Sequence, residues 1–229
     1  MLWGVQDVAG VAAFLELINE RAHGYYTNPL QTLANAEAFE LFWKDQRAQR
    51  VPYGRGLFYL ADTDTKIRAA GDGRRSLDDL VLAILDRQRN GEKVGVADWL
   101  DLVTAELGDG ARDDFAAMQA GEWVVPPADA FGSRFAREEI RPRVAEPGFA
   151  LTRLETCVVT DLVAGSAAER AGVREGDRIL AGPAGSELAN GRLEEVSLTL
   201  RRGGRTFEVT YEPVGAEVRS YRWTVAAAP

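Results

Sequence analysis

Apolar positions recur at helical spacing through the first half of the chain and at strand spacing towards its end. In residues 8–23, Val11, Phe14, Leu15, Ile18 and Ala22 fall along one helical stripe. Gly24 reads as the stop, and Tyr25-Tyr26-Thr27-Asn28-Pro29 as a turn. Residues 36–47 repeat the pattern, with Phe39, Phe42 and Trp43 as the buried group. Val51-Pro52-Tyr53-Gly54-Arg55-Gly56 reads as a tight, glycine-punctuated loop with one tyrosine at its centre, leading into a helix over 57–70. In that helix Leu57, Leu60, Ala61, Ile67 and Ala70 favour one face. Gly71-Asp72-Gly73 breaks it, and Ser76-Leu77-Asp78-Asp79 opens the next helix as a capping box. That helix, 77–89, turns Leu80, Val81, Ile84 and Leu85 inward and closes at Asn90-Gly91. Two more helices, 96–107 and 111–120, are stopped by Gly108 and Gly121.

After Gly121 the character changes. Val124-Val125-Pro126-Pro127 cannot continue a helix. Residues 134–146 are highly charged, so 122–147 reads as a connector, partly packed through Trp123, Phe131 and Phe135. Residues 157–160, 179–180, 196–200 and 207–211 read as strands, and Arg202-Gly203-Gly204-Arg205 as a hairpin turn. The pattern predicts an α+β chain in two units: a helical one over 1–121 and a small β-rich one over 148–229.

Composition narrows the function classes. A chain of 229 residues can build one large core or two ordinary ones. Its net charge of −8, from 35 acidic against 27 basic residues, argues against nucleic acid or an anionic membrane surface as partner. No apolar run reaches the length of a membrane span. One cysteine, Cys157, means no internal disulfide, and Met1-Leu2-Trp3-Gly4 lacks the basic start and apolar core of a signal peptide.

Candidate chemistry is sparse. His23 is the one histidine, so neither a His-Glu-x-x-His zinc site nor a supported Ser-His-Asp triad can be written from this sequence. Paired with Cys157 it has no zinc-ligand spacing. Asp62-Thr63-Asp64, Asp78-Asp79 and Asp113-Asp114 read as caps or solvated faces.

Residues 164–180 (AGSAAERAGVREGDRIL) resemble the core of bacterial PDZ domains: a helix begins after Gly165-Ser166, Gly172 ends it, and Gly176-Asp177 turns into a strand. The resemblance implies binding of peptide C-termini by strand addition, with the carboxylate held in a loop of backbone N–H groups at Gly148, Phe149, Ala150 and Leu151. The sequence departs from the pattern over 181–195, which is too rich in Gly, Ala and Asn for a full groove-lining helix.

Tyr53-Gly54-Arg55-Gly56 resembles the Tyr-x-Lys-Gly segment of gluzincin aminopeptidases. Taken with Tyr25–Pro29, Asn35-Ala36-Glu37, Phe42-Trp43, the stretch 51–80 and the PDZ-like tail, the chain is similar to the glycyl aminopeptidase family of zinc metallopeptidases (peptidase family sixty-one). The resemblance covers that family's C-terminal part: the end of the helical catalytic domain, of gluzincin C-terminal-lobe type, followed by the PDZ-like β domain. It implies that Tyr53 hydrogen-bonds the oxyanion as the scissile carbonyl is attacked. It also implies Zn in the full-length family, no metal or cofactor held by this chain, and the bacterial periplasm or envelope as a frequent location.

Two readings follow. In the first, the chain is the zinc-less C-terminal portion of such an enzyme, inactive alone, meeting its peptide or protein substrate through a missing catalytic half. Met1 is then the start of a piece of a longer enzyme, or of a natural short homologue. In the second it is a non-catalytic PDZ-containing adaptor that binds peptide C-termini.

Overall fold

Two aromatic-rich helices crossing near Gly54 set the arrangement of the first half of the chain. The computed structural model describes residues 8–150 and 157–226. Helix α1 (Val8–Tyr26) buries Phe14, Ile18, Ala22, Tyr25 and Tyr26. It does not stop at Gly24 as its sequence suggests. Sealing two tyrosine rings completely outweighs the roughly 1 kcal/mol that a mid-helix glycine costs. Helix α2 (Asn35–Leu41) follows, and here the expected core group is overturned: Phe39 is 72% and Trp43 61% exposed.

Helix α3 (Gln46–Ala70) corrects the largest expectation. The segment 51–56 is not a loop, and the helix does not begin at Leu57. It begins at Gln46, where the Asp45 carboxylate accepts the Arg47 N–H at 2.8 Å, and runs straight through Pro52. A proline there costs about 3 kcal/mol. Val51, Gly54, Arg55 and Phe58 all bury on one side, while Pro52 faces solvent. Of the face expected for 57–70, Leu57, Ala61 and Ile67 pack in cores as expected, while Leu60 and Ala70 are exposed. Gly54 permits the crossing, since a Cβ there would lie 2.5 Å from the Tyr25 Cβ.

Helices α4 (Leu77–Arg89), α5 (Val96–Leu107) and α6 (Gly110–Gln119) keep their predicted bounds to within a residue. The capping box forms, with Asp79 accepting the Ser76 N–H at 2.8 Å. Buried Asp64 of α3 accepts the Leu77 N–H at 2.8 Å and so fixes the start of α4. Ile67, Leu80, Val103 and Ala111 make a small core among these helices.

The stretch 122–147 is more than a connector. It contains strand β1 (Phe135–Ile140), antiparallel to the last strand β5 (Ser220–Val225). Its charges satisfy both faces of this ribbon: Glu138 pairs with Arg222 at 2.8 Å on the outer face, while Arg137, on the side of Tyr221, lies over that ring and Glu139 pairs with Arg219 at 3.0 Å. The inner face carries Phe135, Tyr221 and Trp223 into the core of α1 and α3, with Trp223 stacked on Phe58 at 5.4 Å. Residues 220–225, read with the β-rich unit, thus pack against the helices.

Between β1 and β5 lies the second core. Helix α7 (Ala167–Arg170) starts at Ser166, whose Oγ accepts the Glu169 N–H at 3.1 Å. Strands β2 (Arg178–Ala181), β3 (Val196–Arg202) and β4 (Arg205–Tyr211) form one antiparallel sheet in that order. Gly203 and Gly204 both take left-handed φ in the predicted hairpin. Residues 157–160 make one isolated bridge, Val158 to Arg178, rather than a strand. Between β2 and β3 stands a single helical turn, α8 (Gly185–Leu188).

Gly54→Ala is expected to lose about 1–2 kcal/mol in urea unfolding, because about 1–3 kcal/mol of overpacking exceeds the helix-propensity gain. Gly56→Ala, with nothing within 4 Å of its Cβ position, is the matched control and should be neutral or slightly stabilising. Equal stability of the two variants would contradict the close crossing of α1 and α3.

Candidate functional site

The four residues Tyr53-Gly54-Arg55-Gly56 point in different directions because they sit on a helix. Gly54 faces α1. Arg55 is buried, at 1% exposure, and its guanidinium holds the segment before α2. It donates to the Gln31 carbonyl at 2.5 Å, to the Leu33 carbonyl at 2.7 Å and to Asn35 Oδ1. Its partners are neutral oxygens, so the charge is solvated by carbonyl dipoles rather than by an ion pair. Gly121 closes the other side of this segment; a Cβ there would meet the Thr32 carbonyl oxygen at 2.2 Å. Tyr53 takes no part in this packing and stands 62% exposed.

One turn before Tyr53, on the same face of α3, Arg50 reaches the β-rich unit. It donates to Asn190 Oδ1 at 2.6 Å and to the Ser186 carbonyl at 2.8 Å. From α1, His23 Nε2 lies 2.7 Å from the Asn190 carbonyl oxygen. The carbonyl needs a donor, so His23 carries its proton on Nε2. Burial pushes the His23 pKa below its ordinary value; the bond to Asn190 acts the other way, and Arg192 and Arg50 reinforce the depression. The resulting junction ties α1 and α3 to the stretch just after α8, beside the exposed tyrosine.

The predicted carboxylate loop is only partly disposed as expected. Gly148 has φ +83 and packs against Ser166, where any Cβ would come within 2.8 Å. Phe149 is buried in the β-unit core. The Ala150 N–H donates to the Thr160 carbonyl at 2.9 Å, so it is already engaged. Leu151 lies outside the described residues. Gly148 and Phe149 do line a cleft of about 260 Å³, faced by Leu188 on their own unit and by Thr27, Asn28 and Arg47 on the helical one. Arg47 is neutralised within it by the Asp45 carboxylate at 2.6 Å.

The acidic pairs resolve into structural roles. Asp62 and Asp114 both hold Lys66, at 2.8 and 2.7 Å, Asp64 caps α4, and Asp79 closes the capping box. Among the described residues no three His, Cys, Asp or Glu side chains converge as a metal ion requires. What the sequence did not disclose is the junction. Arg50 and Asn190 are 140 positions apart, and no local pattern links them.

Comparison with protein-family models and with curated proteins finds no match. Among solved structures, the chain is similar to a crystal structure of an aminopeptidase N family protein from Idiomarina loihiensis, with a TM-score of 0.54 and 15% identity. The match covers 98% of this chain and 44% of that one, so the chain spans less than half of its neighbour's length. At that identity the likeness is one of fold, an α+β arrangement.

Because the pKa of His23 is depressed in the folded state, its contribution to stability is complete above the ordinary value of 6.5 and declines as pH falls below it. The lowered carboxylates Asp79, Asp98 and Asp177 act in a separate window, below 3.8. The thermal midpoint should therefore be level from pH 8 to 7 and drop between about 6.5 and 5. His23→Gln, which keeps a donor for the Asn190 carbonyl, should flatten that drop. An unchanged profile in the variant would remove His23 from the pH response.

Proposed function

We propose that this chain is the zinc-less C-terminal portion of a glycyl aminopeptidase-like metallopeptidase, and that Tyr53 forms one wall of its substrate cleft. The observation that carries this reading is the separation of roles within Tyr53-Gly54-Arg55-Gly56. Packing accounts for Gly54 and Arg55. It does not account for a 62% exposed tyrosine on the face shared with Arg50. A phenol at that place is a neutral donor that can meet charge developing on a carbonyl oxygen. The aminopeptidase-like fold supports the reading, as does the span of less than half the neighbour.

In this reading the helical unit over 1–121 belongs to the catalytic domain, and 148–229 is a PDZ-like accessory unit held beside the cleft through 122–147. The zinc ligands and the general base would lie in polypeptide outside this chain. The Tyr53 hydroxyl would donate to the oxyanion of the scissile peptide bond, strengthening as negative charge builds there. The competing reading, an adaptor that captures peptide C-termini, draws on the cleft bordered by Gly148, Phe149 and Leu188. Its weakness is that the Ala150 N–H is already engaged.

The purified chain should release no product from glycyl substrates, with or without added zinc. In a polypeptide that also carries the metal-binding half, Tyr53→Phe should lower kcat by about 10²–10³-fold with little change in KM. Zinc-dependent turnover by the chain alone, or full activity of the phenylalanine variant, would overturn the proposal. Selective binding of free C-terminal peptides by the chain would favour the adaptor.

A further inference from the structure

Helix α4 is apolar on more sides than its neighbours cover. Its inner side places Leu80 against Ile67 and Val103. Its outer side leaves Leu82 55%, Val81 42% and Leu85 39% exposed. Leu82 and Leu85 lie within a longer row, Asp78, Leu82, Leu85 and Arg89, spaced i, i+4, i+7 and i+11, so all four share one seam of the helix.

The row is complementary to itself in reverse. If a second α4 is laid against it antiparallel, about a twofold axis between Ala83 and Ile84, Leu82 of each copy meets Leu85 of the other. Asp78 of each then meets Arg89 of the other. Asp78 of the acidic first turn thus faces Arg89 of the basic last turn at both ends of the seam. A parallel pairing would instead set like charges opposite one another at both ends. Arg89 is available for this role: among the described residues it pairs with Asp86 at 3.0 Å on the surface, with side-chain exposures of 72% and 67%. Such a pair contributes little. Arg87 is committed within the chain, to Glu92 and Asp98, and lies off the seam.

We propose that the outer face of α4 is a self-association surface, through which two copies of this chain pair antiparallel across Leu82 and Leu85, with Asp78–Arg89 ion pairs at both ends. The pairing does not depend on the peptidase reading. A 13-residue helix is about 20 Å long. One such seam buries less than the ~1,200 Å² typical of stable assemblies. The dimer is accordingly weak, with a dissociation constant on the order of 10⁻⁴ M.

Sedimentation velocity over a concentration series tests this on the whole chain, with circular dichroism to verify folding of each variant. The native chain should move from monomer towards dimer, less so at high salt. Leu82→Glu should remain monomeric throughout. Asp78→Arg and Arg89→Asp should each associate about tenfold more weakly than the native chain, since each homodimer then sets like charges opposite at both ends. Mixed together, the two variants restore opposite charges at both ends and should pair at least as well as the native chain. A chain that stays monomeric at every concentration, a dimer unaffected by Leu82→Glu, or a mixture no better than its separate components would overturn the proposal and leave the face to a different partner.

Discussion

The side chain of Asn19 acts as a strand. Its amide donates to the Trp223 carbonyl at 2.8 Å and its oxygen accepts the Trp223 N–H at 2.7 Å, so a residue of α1 satisfies both backbone groups of a residue 204 positions later. This bond seats Trp223 against Phe58 and Phe131 and completes the aromatic core. Its consequence is topological. Strand β5 is fixed on α1, β1 is fixed on β5, and the β-rich unit between them is anchored at both ends. A unit on one tether would swing freely, whereas one on two adjacent antiparallel strands is confined. That confinement lets Arg50 and His23 reach Ser186 and Asn190 at bonding distance.

The parts of the fold legible in the sequence are those settled within a few residues. The start of α4 is written in Ser76 and Asp79, the end of α5 in Gly108, and the β3–β4 hairpin in Gly203-Gly204. Each is a capping or turn problem with a local solution. What escaped was decided by distant partners. Pro52 argues against a helix on every local ground, yet α3 runs through it because Val51, Arg55 and Phe58 are buried on the far side. Residues 135–140 look like a solvated connector because Arg137, Glu138 and Glu139 are charged. They form a strand because Trp223, Arg222 and Tyr221 of β5 lie opposite, and Arg222 and Arg219 pair with the two glutamates.

The same distinction governs the candidate site. The sequence singled out Tyr53-Gly54-Arg55-Gly56 as a unit, but the four residues do not act as one. Gly54 answers to Tyr25, Arg55 to the carbonyls of Gln31 and Leu33, and Tyr53 to nothing within the helical core. Spacing can identify such a motif without showing which member is exposed, since exposure depends on the crossing of α1 and α3.

Helix geometry then connects the tyrosine to the second unit. Arg50 and Tyr53 are one turn apart, so whatever approaches Tyr53 meets a surface whose neighbouring edge is the stretch around α8. In a PDZ-like unit that edge would belong to the peptide groove, yet here it is a single turn of helix whose Ser186 carbonyl is claimed by α3 and whose flanking Asn190 is claimed by α1 and α3. Two features that are separate in the sequence, a tyrosine on a helix and the short segment between β2 and β3, therefore meet near one junction. Helix α8 is a single turn where the helical unit docks against it, and Arg50, which docks it, lies one turn from the exposed phenol. A β-rich unit bound in this way is held to the edge of the face that carries the tyrosine by Arg50 and Asn190.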